Sequence, residues 1–304
     1  MTAEPLLEGI AQTARDRALP VLRAGNTNCG GCGMSVGLNF LSRALGSRPV
    51  QFVVPACCGI VTGGPFPYSA YGAPVVASAF ASAAAVASGL AHAARLNGEA
   101  TRVICWAGDG GTYDIGMATV SAAAERDEDI LYICYDNEIY GNTGGQRSSA
   151  TPLGAATSTT PAGKTIGKKD ILGIMAAHRV PYAASISLAH PEDADRKMRH
   201  ALDARGFRFL HVLSPCPTGW KSEPAEGIEL IRLAVRSGIY PVIEVFEGRR
   251  FVVNVQPTFD TGDLERYFAS QGRFRGTKDD LAAVWQAVAA QWEDLWRRAG
   301  GGPR

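Results

Sequence analysis

Apolar and polar positions along the chain alternate between two kinds of segment. Short apolar runs bounded by Gly, Pro or polar residues predict strands at 50–54, 102–107, 130–135, 181–187, 208–213 and 241–246. Segments with helical spacing lie between and around them, at 34–45, 75–97, 113–126, 170–178, 191–205, 223–238 and 278–298. This alternation predicts an α/β fold, with a mostly parallel sheet and helices on both faces.

The chain divides into two parts in this pattern. Residues 1–250 carry the alternating strands and helices, whereas 251–304 form a C-terminal extension. Trp285, Trp292 and Trp296 recur on that extension at near-helical spacing. We expect them to dock the extension onto the main domain or a partner subunit.

Composition excludes several classes of protein. With 46% hydrophobic and 19% charged residues in 304, the chain is globular, and a net charge of +1 argues against nucleic-acid binding. The first twenty residues lack a secretion leader, which predicts a cytoplasmic location. The uncharged stretch 71–94 is long enough to cross a membrane, but it consists mainly of Ala, Ser and Gly. We expect a helix buried in protein there, and no membrane contact.

The sequence AGDGGTYDIG at 107–116 follows a predicted strand and precedes a predicted helix. Gly108, Gly110 and Gly111 would let backbone amides approach an anion closely. A carboxylate at Asp109 would repel a phosphate group unless a cation lay between them. The motif therefore predicts Mg²⁺ bridging Asp109 to a diphosphate.

A second motif completes this site. Asn137 follows the next predicted strand, 28 residues after Asp109, so it should lie at the adjacent strand end. The amide oxygen of Asn137 and the backbone carbonyl of Ile139 would complete the metal ligands, a pairing typical of thiamine diphosphate sites. A dinucleotide motif is excluded because Tyr113 replaces its third glycine, and a P-loop is excluded because Ser158 replaces its first.

Four cysteines lie in predicted loops that could converge on one site: Cys29, Cys32, Cys58 and Cys216. The first two form a C-x-x-C in a Gly-rich loop, and the other two follow predicted strands. Four thiolates suit either Zn²⁺ or a 4Fe–4S cluster, and spacing alone does not separate these alternatives.

The other three cysteines have different contexts. Cys57 is a rival to Cys58 as the third ligand, because the two are adjacent. Cys105 and Cys134 lie inside apolar strands and are expected to be ordinary core residues.

Taken together, the motifs resemble those of a known family. The stretches that carry the resemblance span most of 26–220 and are NCGGCG (28–33), CGIVTGGPFPYS (58–69), AAAVASG (83–89), GDGGTYDIG (108–116), YICYDNEIYGNTGGQRSSATP (132–152), TTPAGK (159–164) and SPC (214–216). They resemble the β subunit of pyruvate:ferredoxin oxidoreductase and related 2-oxoacid:acceptor oxidoreductases, including phenylglyoxylate dehydrogenase-like members. NTGGQRSSATP followed by TTPAGK is similar to the pyruvate-type branch.

The resemblance implies a thiamine diphosphate-binding fold of the pyrophosphate type and a set of cofactors. It implies that Asp109, Asn137 and the Ile139 carbonyl bind Mg²⁺, and that Asn142 and Thr143 lie beside the thiazolium ring with catalytic roles. It also implies a 4Fe–4S cluster on Cys29, Cys32, Cys58 and Cys216, since Cys58 keeps the family's offset to the downstream PFP.

The implied reaction is oxidative decarboxylation of a 2-oxoacid to its acyl-CoA. An α subunit would supply the pyrimidine-side Glu and the substrate-binding groups, because no convincing candidate for that Glu is found here. The resemblance further implies γ and ferredoxin-like δ subunits, with ferredoxin or an NAD-linked subunit accepting the electrons.

Some features depart from the family or leave alternatives open. Cys57 replaces the usual Gly, and SAYGAPVV (69–76) lacks a Trp and an Arg that many pyruvate enzymes carry. Pyruvate and an aryl 2-oxoacid such as phenylglyoxylate therefore both stay candidates. Arg147 and Lys164 would contact CoA, substrate or partner, or be solvated. The alternative functions are a zinc-stabilised non-redox protein of this fold and half of a non-oxidative thiamine decarboxylase.

Overall fold

An eight-stranded sheet forms the centre of the computed structural model, which describes residues 20–65, 67–274 and 281–300. The strands, in chain order, are β1 Val50–Pro55, β2 Val75–Ser78, β3 Arg102–Gly108, β4 Leu131–Asp136, β5 Tyr182–Ile186, β6 Arg208–Leu213, β7 Val242–Phe246 and β8 Arg250–Val255. Their spatial order is β2-β1-β3-β4-β6-β5-β7-β8. The first six strands pair in parallel, and β7 and β8 add an antiparallel edge. The predicted mostly parallel α/β architecture is therefore confirmed.

Helices connect the parallel strands and cover both faces of the sheet. In chain order they are α1 Gly33–Leu45, α2 Cys58–Thr62, α3 Ala83–Leu96, α4 Met117–Glu125, α5 Ile171–Ala177, α6 Pro191–Asp203, α7 Pro217–Trp220, α8 Gly227–Arg236, α9 Thr261–Ala269 and α10 Leu281–Arg298. Short 3₁₀ turns occur at Pro224–Glu226 and Gly272–Phe274, and a π-helical turn at Gly110–Asp114.

Strand β3 shows why the sequences of the central strands are continuous apolar runs. Ile104 and Trp106 pack into the cluster on one face of the sheet, whereas Cys105 and Ala107 pack into the cluster on the other. Successive side chains of a strand point to opposite faces, so a sheet covered on both sides needs apolar residues at every position. Cys105 is accordingly a buried core residue, as expected.

Strands β2 and β8 differ from the prediction. The helix predicted over 75–97 is strand β2 followed by α3, since the β-branched pair Val75 and Val76 pairs with β1 directly after Pro74. Strand β8 was not predicted. It follows β7 through a tight three-residue connection, 247–249, in which Glu247 and Gly248 both have positive φ and Arg249 N donates to the Phe246 carbonyl at 3.0 Å.

The C-terminal segment packs on the same core as the sheet. Trp292 is buried, its indole Nε1 donates to the Gly238 carbonyl at 2.8 Å, and Trp296 packs beside it. Phe251 belongs to the same hydrophobic cluster, and β8 spans the predicted division at residue 250. The division into 1–250 and 251–304 stays a prediction.

Within the described ranges, no helix is long and apolar enough to cross a membrane. Part of the uncharged stretch 71–94 is strand β2, and the rest includes α3, whose Ala84 and Ala87 are fully buried.

Candidate active site at the carboxyl edge of the sheet

Four candidate residues follow four neighbouring parallel strands. Cys58 comes after β1, Asp109 after β3, Asn137 after β4 and Cys216 after β6. Parallel strands end at the same edge of a sheet, which is where ligands bind in open α/β folds. The topology therefore brings the predicted magnesium ligands and two of the predicted cluster cysteines to one edge of the sheet.

The GDGGTYD motif forms a π-helical turn between β3 and α4. Ile115 N donates to the Gly110 carbonyl at 3.2 Å, five residues back. π-Helical turns are rare in proteins, and those that occur are often found at functional sites. The Tyr140 ring lies directly over Gly110, where an added Cβ would meet a ring carbon at 2.2 Å. Glycine at this position allows the close approach of the two loops.

The three predicted metal ligands lie together. The Asn137 side-chain oxygen is 2.9 Å from Asp109 Oδ1 and 2.8 Å from the Ile139 carbonyl oxygen. Rotation of the amide by 180° would place its nitrogen there, as donor to both oxygens. Oxygens that share an octahedral Mg²⁺ with bonds of about 2.0–2.1 Å are about 2.9 Å apart. The donor set and its spacing thus fit a small divalent cation.

Asp109 is a buried carboxylate with few compensating contacts. Ser148 donates a hydrogen bond to its Oδ2, and the side chain is 2% exposed. Burial and the nearby Asp136 carboxylate raise the pKa of Asp109 well above its usual range. A cation at this position would stabilise the ionised form.

Asn142 and Thr143 lie on a tight, exposed turn next to these ligands. Tyr140 N donates to the Gln146 carbonyl at 3.0 Å and closes the turn, while Thr143 Oγ1 donates to the Gln146 side chain at 2.5 Å. The Cys58 thiol donates to Asn142 Oδ1 at 3.3 Å. The loop of Asn142 and Thr143 and a candidate cluster cysteine are therefore in direct contact.

The other three candidate cluster ligands, Cys29, Cys32 and Cys216, lie near Cys58. Cys32 N donates to the Cys29 carbonyl at 3.1 Å, and Gly33 N donates to the Pro215 carbonyl at 2.9 Å, which joins the C-x-x-C loop to the loop of Cys216. Burial and the charges of Cys57, Cys216, Cys32 and Cys29 raise the pKa of Cys58 to about 12. In the described part of the chain, no three Cys, His, Asp or Glu side chains already form a compact metal-ligand group. The thiols of Cys29, Cys32 and Cys216 are near enough to affect the pKa of Cys58, and the predicted cluster stays a prediction.

Cys57 faces away from the thiols of Cys29, Cys32 and Cys216. Its thiol donates to the Pro55 carbonyl at 2.9 Å and lies beside Tyr135 under the sheet edge. Burial raises the pKa of Cys57, and backbone groups and Tyr135 partly offset this effect. The geometry therefore favours Cys58 over Cys57 as the third cluster ligand.

Lys164, a candidate for contact with CoA or a partner, instead has a structural position. Its ammonium group is buried and donates to the carbonyls of Thr151 at 2.5 Å, Ser149 at 3.1 Å and Gly167 at 3.4 Å. Burial and nearby cations lower the pKa of Lys164 to about 8. Arg147 is exposed on the same loop, and its backbone N–H donates to Thr159.

Sequence reasoning missed a buried charge network behind the metal ligands. Lys168 Nζ lies 2.6 Å from Asp136 Oδ2 and 3.0 Å from Glu138 Oε1, and His211 Nε2 lies 2.7 Å from Asp136 Oδ2. Arg273 Nη2 lies 2.7 Å from Glu138 Oε2. Two acidic residues, Asp136 and Glu138, flank Asn137 in the sequence and indicated that buried cationic partners were needed. No local pattern in the sequence indicates that Arg273 is one of them.

Within that network, the pKa values of Asp136 and His211 both lie below their usual ranges. Burial alone would raise the pKa of Asp136, but Lys168 and His211 outweigh it and hold this pKa well below its usual range. Burial lowers the pKa of His211. Asp136 is therefore an anion and His211 a neutral hydrogen-bonding partner at neutral pH.

Comparisons with known proteins agree with this arrangement. Residues 65–212 match the model of the thiamine pyrophosphate enzyme C-terminal TPP-binding domain. The chain is 43% identical to ketoisovalerate oxidoreductase subunit VorB of Pyrococcus horikoshii, over 91% of this chain and 92% of that protein. It is 42% identical to pyruvate synthase subunit PorB of Methanothermobacter marburgensis, over 90% and 96%.

A solved structure supports the fold alone. A chain of 2-oxoglutarate:ferredoxin oxidoreductase from Magnetococcus marinus superposes with a TM-score of 0.60 at 22% identity, covering 86% of this chain and 94% of that one. The identity to VorB and PorB, over almost the whole of each chain, confirms the resemblance found in the motifs. The chain belongs to the 2-oxoacid:ferredoxin oxidoreductase family, as a β subunit of the PorB and VorB type.

Proposed function

We propose that this chain binds thiamine diphosphate through Mg²⁺ and carries a 4Fe–4S cluster in a CoA-dependent 2-oxoacid oxidoreductase. The net reaction converts a 2-oxoacid and CoA into acyl-CoA and CO₂, and releases two electrons and one proton. Bound thiamine diphosphate would supply the electron sink for loss of CO₂, and the cluster would accept electrons one at a time.

The observation that carries the proposal is the contact between a candidate cluster cysteine and the loop that follows the predicted metal ligands. Cys58, a candidate cluster ligand, bonds to Asn142 of the loop that follows the metal ligands. Electrons released at the cofactor would therefore have a short path to the thiols. A zinc-stabilised protein or a non-oxidative decarboxylase would not need this adjacency, and family membership does not favour either.

The residues of the chain have distinct tasks in this proposal. Asp109, Asn137 and the Ile139 carbonyl would hold Mg²⁺, and Gly108, Gly110 and Gly111 would leave room for the diphosphate. Asn142 and Thr143 would lie beside the reacting end of the cofactor, where Asn142 would donate to substrate oxygens. Cys29, Cys32, Cys58 and Cys216 would hold the cluster.

An α subunit is needed for the remaining part of the site. Among the described residues at this edge, the carboxylates of Asp109, Asp114, Asp136 and Glu138 are all engaged by neighbours. None is free to hydrogen-bond an aminopyrimidine. We infer that α supplies this Glu and the substrate-binding groups, with γ and ferredoxin-like δ subunits completing the complex.

Apolar side chains near this edge give the partner a surface to cover. Tyr68 is 78% exposed, Val61 56% and Ile115 53%. We place the complex in the cytoplasm, where reducing conditions would keep the seven cysteines out of disulfides.

Both 2-oxoisovalerate and pyruvate are candidate substrates, because the ketoisovalerate and pyruvate relatives are 43% and 42% identical to this chain. The test is the CoA-dependent reduction of a low-potential dye by the purified complex, with pyruvate, 2-oxoisovalerate, phenylglyoxylate and 2-oxoglutarate. We expect one of the first three to give the highest kcat/KM, and ferredoxin to replace the dye. Reduction of NAD instead would identify an NAD-linked acceptor subunit, and no reduction with any 2-oxoacid would contradict the proposal.

A further inference from the structure

The turn that carries two of the metal ligands has an unusual backbone. Glu138 lies between Asn137 and Ile139 and has a φ of 65°, a left-handed conformation that residues with a Cβ adopt only when their surroundings impose it. In this conformation one atom of the Asn137 side-chain amide lies 2.9 Å from Asp109 Oδ1 and 2.8 Å from the Ile139 carbonyl oxygen. Whatever holds Glu138 therefore sets the spacing of the ligands.

The Glu138 side chain points into the protein and is held there by charge. It is 3% exposed and forms ion pairs with Lys168 at 3.0 Å and with Arg273 at 2.7 Å. Lys168 is shared with Asp136, at 2.6 Å. Two buried carboxylates thus meet two cations, and removal of either cation would leave an uncompensated buried charge.

Arg273 holds the same turn at a second point. Its guanidinium lies 4.3 Å from the centre of the Trp220 ring, and Trp220 Nε1 donates to the Asn137 carbonyl at 2.9 Å. Gln271 and Tyr267 fix the other side of the guanidinium, at 2.9 and 3.3 Å. One Arg on the C-terminal segment therefore contacts both the Glu138 carboxylate and the indole that binds Asn137.

We propose that Arg273 is a positioning residue for the divalent cation, and that it makes the site selective for Mg²⁺ over Ca²⁺. This inference rests on the proposed function, since the cation is the one that would bridge Asp109 to the diphosphate. Mg²⁺ demands near-octahedral oxygens at about 2.0–2.1 Å, whereas Ca²⁺ accepts longer, more variable bonds of about 2.3–2.6 Å. If the turn no longer fixes the spacing of the ligand oxygens, the affinity for Mg²⁺ should fall more than the affinity for Ca²⁺.

The test compares Arg273→Lys with a matched control, Arg208→Lys. Arg208 is also buried, at 1% exposure, and pairs with Asp129 at the opposite end of the sheet. Calorimetry on the metal-depleted complex, with thiamine diphosphate present, gives the Kd for Mg²⁺ and for Ca²⁺, and a thermal melt gives the stability of each variant. Lys keeps the positive charge but loses the planar contact with Trp220 and the fixed geometry of the pair.

We expect Arg273→Lys to raise the Kd for Mg²⁺ by about 10-fold or more, as is typical when a supporting partner of a metal ligand is lost. The Kd for Ca²⁺ should rise by less than about threefold, because Ca²⁺ tolerates the altered spacing. Arg208→Lys should lower the melting temperature and change neither Kd.

Two results overturn the inference: an unchanged Kd for Mg²⁺, or equal losses for Mg²⁺ and Ca²⁺. If Arg273→Lys does not assemble, Trp220→Phe decides, because it keeps an aromatic ring under Arg273 but removes the hydrogen bond to Asn137. Unchanged selectivity in that variant also overturns the inference. If the wild-type complex shows no Mg²⁺-dependent binding of thiamine diphosphate, the proposed function itself fails.

Discussion

Replacement of Asp109 by Asn should change stability and cofactor binding in opposite directions. The carboxylate is 2% exposed and lies near the Asp136 carboxylate, so its charge is unfavourable until a cation binds. A neutral amide of the same shape removes that cost and should stabilise the metal-free protein by about 1 kcal/mol. The same change removes the one anionic ligand of the proposed metal site.

The loss of affinity can be scaled from the burial of the site. Removal of one charged partner from a buried pair costs about 3–5 kcal/mol, so the Kd for Mg²⁺ and thiamine diphosphate should rise at least about 100-fold. At ligand concentrations about 100 times the wild-type Kd, binding stabilises the wild type by about 2.7 kcal/mol and the variant by about 0.4 kcal/mol. For 304 residues this corresponds to melting shifts of about 4 °C and under about 1 °C.

The assay is a thermal melt of the metal-depleted protein with and without Mg²⁺ and thiamine diphosphate. Asp263→Asn is the matched control, because Asp263 is also buried but pairs with Arg236 at 2.8 Å, away from the site. It should melt at a lower temperature and keep the full ligand-induced shift. A wild-type-sized shift in Asp109→Asn, or a lower melting temperature without ligand, would refute the reasoning.

Three further predictions address the thiols, the loop and acid stability. Cys58→Ser should lose most of the iron bound by this chain while Cys57→Ser keeps it, since only Cys58 faces the other three thiols; equal iron contents would contradict this assignment. Lys164→Met should remove three hydrogen bonds and leave the Thr151 and Gly167 carbonyls without the Lys164 donor, at a cost of about 1–3 kcal/mol. It should also speed hydrogen exchange in the 148–156 loop, and unchanged exchange would exclude a clamping role. For Glu244, burial would raise the pKa, but hydrogen bonds from Arg196, Tyr182 and Asn254 outweigh it and lower the pKa from 4.5 to about 2. The ion pair of Glu244 and Arg196 therefore contributes about 2 kcal/mol of stability above pH 4.5, after allowance for the exposure of Arg196, and this contribution is lost as the pH falls toward 2. Acid-unfolding curves of Glu244→Gln should lack this loss. A pH dependence of stability like that of the wild type would refute the prediction.

Local patterns in the sequence predicted most of the fold because the central strands are apolar at every position. Strand β2 was missed because its four residues run into an Ala-rich helix with no Gly, Pro or charged residue between the two elements. Strand β8 was missed because it is a half-buried edge strand whose residues alternate weakly. Helix α10 begins at Leu281, so the predicted start at residue 278 lies outside the described residues.

The candidate site was predictable to the extent that each ligand lies in a motif next to a strand end. Asp109 and Asn137 follow adjacent strands, and the parallel register then brings them together. The support behind them was not predictable, because Arg273 reaches Glu138 only through tertiary packing of the C-terminal segment. The left-handed conformation of Glu138 also has no local signal, since neither Gly nor Asn occupies that position.

The central claim is that electrons from a 2-oxoacid reach a cluster held by the thiols of this chain. The most direct measurement is the iron, sulfide and zinc content of the complex purified without oxygen, with EPR spectra before and after addition of 2-oxoacid and CoA. We predict about four irons and four sulfides per chain beyond those of the partner subunits, with a substrate-dependent signal from a radical or a reduced cluster. About one zinc per chain, with no signal from any 2-oxoacid, would contradict the account.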